Sequence, residues 1–217
     1  MHFPPYDNKN QPIVDVEDSR VPLNYFNIVK LKKGEAFSYQ VPGYETCIAP
    51  ATGSVDVDVE GQAYAALGNR GVDVWDGEPE GLYVPSGAKV TFVCVSDQSE
   101  VFIAGAKYDQ VLDPFDVRAA DIDLVQYGSD DTKTHRKIKH ILGQKQHDKV
   151  GRLLVSELFT VGQGGCLDFP RISMTQTACQ KKPVMMKLIT LGFGPITARD
   201  CKCCSAKITN RAMPIIL

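Results

Sequence analysis

Val55-Asp56-Val57-Asp58-Val59-Glu60-Gly61-Gln62-Ala63-Tyr64-Ala65-Ala66-Leu67 decides the fold class. Valine alternates with a carboxylate for six residues, the period of a strand with one buried face. Gly61 then permits a hairpin turn into a second strand over Ala63–Leu67. The same signal extends in both directions. Phe26–Leu31 is followed by a Lys32-Lys33-Gly34 turn and by Ala36–Val41. Leu82-Tyr83-Val84 runs into Pro85-Ser86-Gly87, and then Val90–Val95, apolar enough to be buried on both faces. Val101–Ala104 adds another strand. Short strands separated by Gly and Pro indicate a β-sandwich or barrel, and no segment in 20–110 has a helical period.

Beyond that block the signal weakens. Residues 109–133 are polar and acidic and leave room for one short helix. Residues 134–149 are basic and poor in apolar side chains, and read as a solvated connection. A new strand is expected over Gly151–Val161, before the Gly162-Gln163-Gly164-Gly165 turn. Arg171–Leu217 has no clear period and is interrupted by Pro183, Gly192, Gly194 and Pro195. The division expected is therefore 1–133 for a first β-domain, 134–149 for a connection, and 150–217 for the opening of a second β-domain.

The 217 residues, 43% of them hydrophobic, are enough for one large core or two small ones. A net charge of -2 gives no electrostatic footprint of a nucleic-acid binder. No apolar run is long enough to span a bilayer, and Met1-His2-Phe3-Pro4-Pro5 does not open a signal peptide, so a cytoplasmic protein without membrane or nucleic-acid partners is expected. The totals conceal an asymmetry. Residues 166–217 hold five of the seven Cys, no His, and eight Lys or Arg against only Asp168 and Asp200; residues 1–165 hold 16 basic against 24 acidic residues.

Gly81–Gly87, with its Pro85-Ser86-Gly87 turn, resembles the second sequence motif of cupins, which are small jelly rolls. In metal-binding cupins a His follows the last glycine by three residues; here that slot holds Val90. The first cupin motif supplies a His-x-His pair and a Glu, and no His lies between Tyr44 and Gln62. The first domain thus resembles a cupin without a metal site. A longer resemblance runs from Gly43-Tyr44-Glu45-Thr46-Cys47 through Leu67-Gly68-Asn69-Arg70, Val72–Trp75 and Tyr83-Val84-Pro85 to Val150–Leu158. These residues are similar to the 5-deoxy-glucuronate isomerases, bicupin enzymes of bacterial inositol catabolism. The resemblance implies aldose–ketose isomerisation of a small sugar acid, 5-deoxy-glucuronate, to 2-deoxy-5-keto-gluconate. It also implies a divalent metal such as zinc, and pairing of copies into a homo-oligomer. It covers about 20–165 and stops at Cys166.

The break has a reading in the genetic code. A shift by one base forces Met174-Thr175 to encode Asp, Met185-Met186 to encode Asp, Met186-Lys187 to encode Glu and Met213-Pro214 to encode Ala. In that single register Cys166–Pro170 reads SGFP and the next stretch reads PHKHD, the segment that the family places after its Gly-Gly. Residues 166–217 are therefore expected to be an out-of-register reading of a second cupin, which leaves this chain without the family's metal ligands.

No catalytic, cofactor-binding or metal-ligating residue is assigned on this reading, and no metal is expected in this chain. His135, His140 and His147 are spaced by five and seven in a basic segment without acids or Cys in phase, which fits a solvated linker better than a metal site. Cys166, Cys179, Cys201, Cys203 and Cys204 lack a paired C-x-x-C spacing, so zinc ligation is the weaker reading. The basic tail has no interleaved aromatics to suggest nucleic-acid binding. Two functions follow: an isomerase by family whose activity is lost in this chain, or a non-enzymatic sugar-acid-binding cupin.

Overall fold

The structure, a computed structural model, describes residues 8–19, 21–129, 131, 135–161 and 185–186. The described residues include the strands β1 Asn24–Lys32, β2 Ala36–Gln40, β3 Tyr44–Val59, β4 Gln62–Arg70, β5 Gly81–Val84, β6 Lys89–Cys94, β7 Gln98–Lys107, β8 Phe115–Val117, β9 Asp123–Tyr127, β10 Arg136–Leu142, β11 Val155–Val161 and β12 Met185–Met186. All pairings are antiparallel. The architecture is mainly β, and the jelly roll expected from the sequence is the one observed.

Strand β3 organises the first unit. Its first half pairs with β7 and β5, and its second half with β4 and β6. Register shifts between Pro50 and Thr52 and between Gly53 and Val55 mark where it turns from one set of partners to the other. The hairpin lies where the sequence places it: Val59 pairs with Gln62, and Glu60 and Gly61 both have positive φ, as a two-residue type I′ loop demands. Val55, Val57 and Val59 are buried, and Asp56, Asp58 and Glu60 are exposed. Their valines meet Val29, Ile48, Leu67, Phe92, Val101 and Ile103 in one apolar interior. Strand β6 departs from the expected burial on both faces: Val90, Phe92 and Cys94 point into this interior, whereas Thr91 and Val93 are half-buried. It pairs with β2, whose own burial alternates, so its second face is only partly covered.

Strands β9, β10 and β11 form a second sheet, with β12 paired to β11 through Phe159–Met186 and Thr160–Met185. Here the structure corrects the reading of 134–149 as a solvated connection. Arg136–Leu142 is a strand between two others, and Ile138, Ile141 and Leu142 are buried. Its apolar residues are few, but they fall where the sheet packs. In 109–133 the room left for a helix holds strands β8 and β9 and a single 3-10 turn, Ala119–Asp121. The sheet draws strands from each of the three segments separated above. Ile141, Leu142, Leu153 and Val155 pack on Cys47, Ala49, Tyr83 and Val117, on the outer face of the barrel. Gly81 makes this contact close: a Cβ there would lie 2.4 Å from the Ile141 Cγ2.

Candidate functional site

Polar chemistry in the described residues gathers at the seam between the barrel and the second sheet. Alternation along β3 sends Ile48 inward, and Glu45 and Cys47 outward to the seam. Glu45 is fully buried and accepts a hydrogen bond from the Tyr83 hydroxyl at 2.7 Å. It also accepts from the backbone N–H groups of Gly151 (2.8 Å), Arg152 and Leu153 (2.9 Å). One carboxylate therefore holds three consecutive amides of the chain that leads into β11. Charge-assisted bonds of this kind compensate the burial of the charge. Burial and then the Glu45 carboxylate push the Tyr83 hydroxyl above its ordinary range, so Tyr83 is a donor at physiological pH.

A second buried carboxylate lies beside it. Arg70 Nη1, at the end of β4, is 2.8 Å from Glu157 Oε2 on β11, and the two side chains are 1% and 0% exposed. The Arg70 guanidinium also donates to the carbonyls of Pro50 and Gly77, each at 3.3 Å. Arg70 Nη2 and Glu157 Oε1 have no partner among the described residues. Cys47 lies in the same seam, where burial first and the Glu157 charge second push its thiol well above the usual range. It is an inert thiol. At the rim, Lys139 pairs with Glu78. Arg118 is bound by Asp116 at 2.6 Å and Glu80 at 3.3 Å.

The histidines of β10 and its flanks are separated by this architecture. His140 is 9% exposed, which corrects its reading as part of a solvated linker; its Nδ1 lies 2.7 Å from Ser156 Oγ. Burial lowers its pKa, with Asp123 opposing. His147 is exposed: its Nδ1 donates to the Gln144 carbonyl at 2.9 Å and its Nε2 lies 2.8 Å from Asp148. His135 is half-buried just before β10. No group of three or more His, Cys, Asp or Glu among the described residues is placed to hold a metal ion. Cys166, Cys179, Cys201, Cys203 and Cys204 lie outside the described residues. The Pro85-Ser86-Gly87 turn is present, with Gly87 at a φ of 72°. Val90 is 0% exposed inside the barrel, against Val59 on the neighbouring strand. The interior is filled mainly by Val, Leu and Ile, with Phe92, three tyrosines and the lone thiol of Cys94, and brings together no group of three or more His, Cys, Asp or Glu among the described residues, so the first barrel does not fit the metal of metal-binding cupins.

Glu45, Arg70 and Glu157 are functional in the structural sense and were missed as such by sequence reasoning. The signal for them was present: all three fall in the runs that carry the family resemblance. An open groove of about 400 Å³ beside the seam is lined by Phe115, Asp116, Asp121, Lys145 and Lys149, with mixed charge. No helix among the described residues is long and apolar enough to cross a membrane.

Comparison with known proteins agrees with this arrangement. The chain is 22% identical over 153 residues to 5-deoxy-glucuronate isomerases of Listeria monocytogenes serotypes 4b and 4a, covering 69% of this chain and 55% of the relatives. It thus spans about half the length of the curated relatives it matches. Among solved structures, an IolB-like protein of Salmonella typhimurium LT2 superposes with a TM-score of 0.63 at 18% identity, covering 74% of this chain and 59% of that one. At that identity the likeness concerns the fold. The family model for KduI/IolB matches residues 2–170, the barrel, the seam and β11 together, and the chain belongs to the KduI/IolB family.

Proposed function

We propose that this chain carries the first barrel and the docking seam of a 5-deoxy-glucuronate isomerase of inositol catabolism, and that in its present form it does not turn substrate over. The observation that carries the reading is the extent of the family match, which runs from residue 2 to residue 170 and ends four residues beyond Cys166. That end lies close to the point where the sequence departs from the family pattern.

The proposed reaction moves a proton between C2 and C1 of an aldose acid. It requires a base at C2 and a group that stabilises the developing enediolate oxygens. In the described residues the barrel interior is apolar, and the seam carboxylates Glu45 and Glu157 are fully buried and engaged in holding the second sheet. Neither region presents a base to a sugar. The chemistry is therefore assigned to the second cupin, whose ligands the out-of-register reading of 166–217 removes. The proposed setting is cytoplasmic, with the sugar acid as partner, pairing of copies of the chain, and no nucleic acid.

The test is proton NMR of 5-deoxy-glucuronate incubated with the purified chain, with zinc or manganese and with a chelator. No conversion to 2-deoxy-5-keto-gluconate is expected in either sample. Conversion that the chelator abolishes would overturn the inactivity. Saturable binding of the sugar acid without turnover or metal would favour a non-enzymatic sugar-acid-binding cupin.

A further inference from the structure

The face of the second sheet that points away from the barrel carries a row of buried polar side chains. Asp123 on β9 pairs in register with His140 on β10, and His140 pairs in register with Ser156 on β11. Residues directly opposite on adjacent strands share a face, so the three side chains form one line across the sheet. The neighbours of the row turn the other way: Glu157 to Arg70, Lys139 to Glu78, and Ile141 onto Gly81. Asp123 and His140 are 9% exposed and Ser156 is 2% exposed.

The row is closed on one side only. His140 Nδ1 and Ser156 Oγ are 2.7 Å apart, whereas Asp123 Oδ2 is buried without a hydrogen-bond partner among the described residues. The turn after β10 presses on it. A Cβ on Gly143 would lie 2.6 Å from the His140 Cβ and 3.2 Å from Asp123 Oδ2. From β9 the charged group facing the imidazole is Asp123; from β11, among the described side chains, it meets the Ser156 hydroxyl. From the turn it meets Gly143, beside the buried amide of Gln146. Lys145, in the same turn, is held at the Ile122 carbonyl at 3.1 Å.

We propose that the Asp123–His140–Ser156 row is a proton-operated latch: with His140 neutral it holds β10 to β11, and a proton on His140 loosens the second sheet, not the barrel. A cation on a ring this buried loses its hydration, and a single carboxylate opposes that loss. Burial outweighs the Asp123 charge and holds the folded ring below its ordinary value near 6.5. The unfolded sheet then binds more protons than the folded one, so stability present above the unfolded pKa is lost as the pH falls below it. The inference is independent of the isomerase reading, since it concerns folded residues that this chain has.

Hydrogen exchange of the full chain at pH 7.5 and 5.5, corrected for intrinsic rates, tests it. Protection of β10 and β11 amides is expected to fall about threefold or more relative to β3 and β7 at the lower pH. His140→Gln should abolish that difference. Asp123→Asn keeps the shape but removes the opposing charge, and should enlarge it. The proposal is overturned if both sheets respond alike, if the difference survives His140→Gln, or if Asp123→Asn shrinks it. Should His140→Gln not retain the second sheet, the imidazole titration in the unsubstituted chain decides. A midpoint below about 6.5 supports the latch, and one at or above it refutes it.

Discussion

The barrel interior and the seam beneath the second sheet are both buried, and they are held together by opposite means. The interior is built mainly from Val, Leu, Ile and Tyr, with Phe92 and Cys94, contributed by β1 and β3 to β7. The seam has an apolar floor around Cys47, Tyr83, Ile141 and Val155, but it is pinned by Glu45, Arg70 and Glu157, all buried. An apolar core tolerates a truncation in proportion to the volume lost. A buried charge does not, because its partner is left in a medium that cannot solvate it. The second sheet is thus fastened by a few specific groups, whereas the barrel is secured by many interchangeable ones.

The largest effect is expected from breaking the buried ion pair. Arg70→Met leaves Glu157 unpaired and should cost about 3–5 kcal/mol, read by denaturant unfolding. The double variant Arg70→Met/Glu157→Leu should recover most of that loss. If the double variant is no better than the single one, the pair does more than neutralise itself. Truncating the interior comes next. Leu67→Ala, at a side chain with no exposed surface, should cost about 3 kcal/mol, spread over every barrel strand in hydrogen exchange.

Glu45→Gln should cost about 2 kcal/mol, because an amide replaces a carboxylate that receives four hydrogen bonds. The exchange of Gly151–Leu153 amides should rise first, with β3 and β7 unchanged. A uniform rise across the barrel would show that Glu45 belongs to the interior and not to the seam. The smallest effect concerns Cys47 and Cys94. Both are buried free thiols, so peptide mapping should find neither labelled by a maleimide until the barrel unfolds.

The two regions were also unequally legible. Alternation at Val55–Val59 and a turn at Glu60-Gly61 were enough to locate the hairpin, because a half-buried strand writes its period into the sequence. The same logic overstated β6: a continuous apolar run looks buried on both faces, and only the tertiary context shows that Thr91 and Val93 are partly covered. β10 was invisible. Arg136-Lys137-Ile138-Lys139-His140 reads as a basic connection, since Lys139 is spent on Glu78 at the rim and a register shift between His140 and Leu142 breaks the period. Glu45 and Glu157 carry no local mark of burial. Their partners are 106 to 108 and 87 residues away in the chain, so proximity could be read only from the fold. The segment from Cys166 onward, expected to be out of register, lies outside the described residues apart from Met185–Met186.

We propose that the isomerase chemistry belongs to a second cupin whose reading is out of register in this chain from Cys166 onward. The most direct measurement compares two proteins under one assay: the chain as it stands, and the chain with a single base restored ahead of Cys166. Turnover of 5-deoxy-glucuronate is followed by NMR with and without divalent metal. The account predicts chelator-sensitive isomerisation by the restored protein alone; equal activity in both, or none in the restored protein when it folds and retains metal, would contradict it.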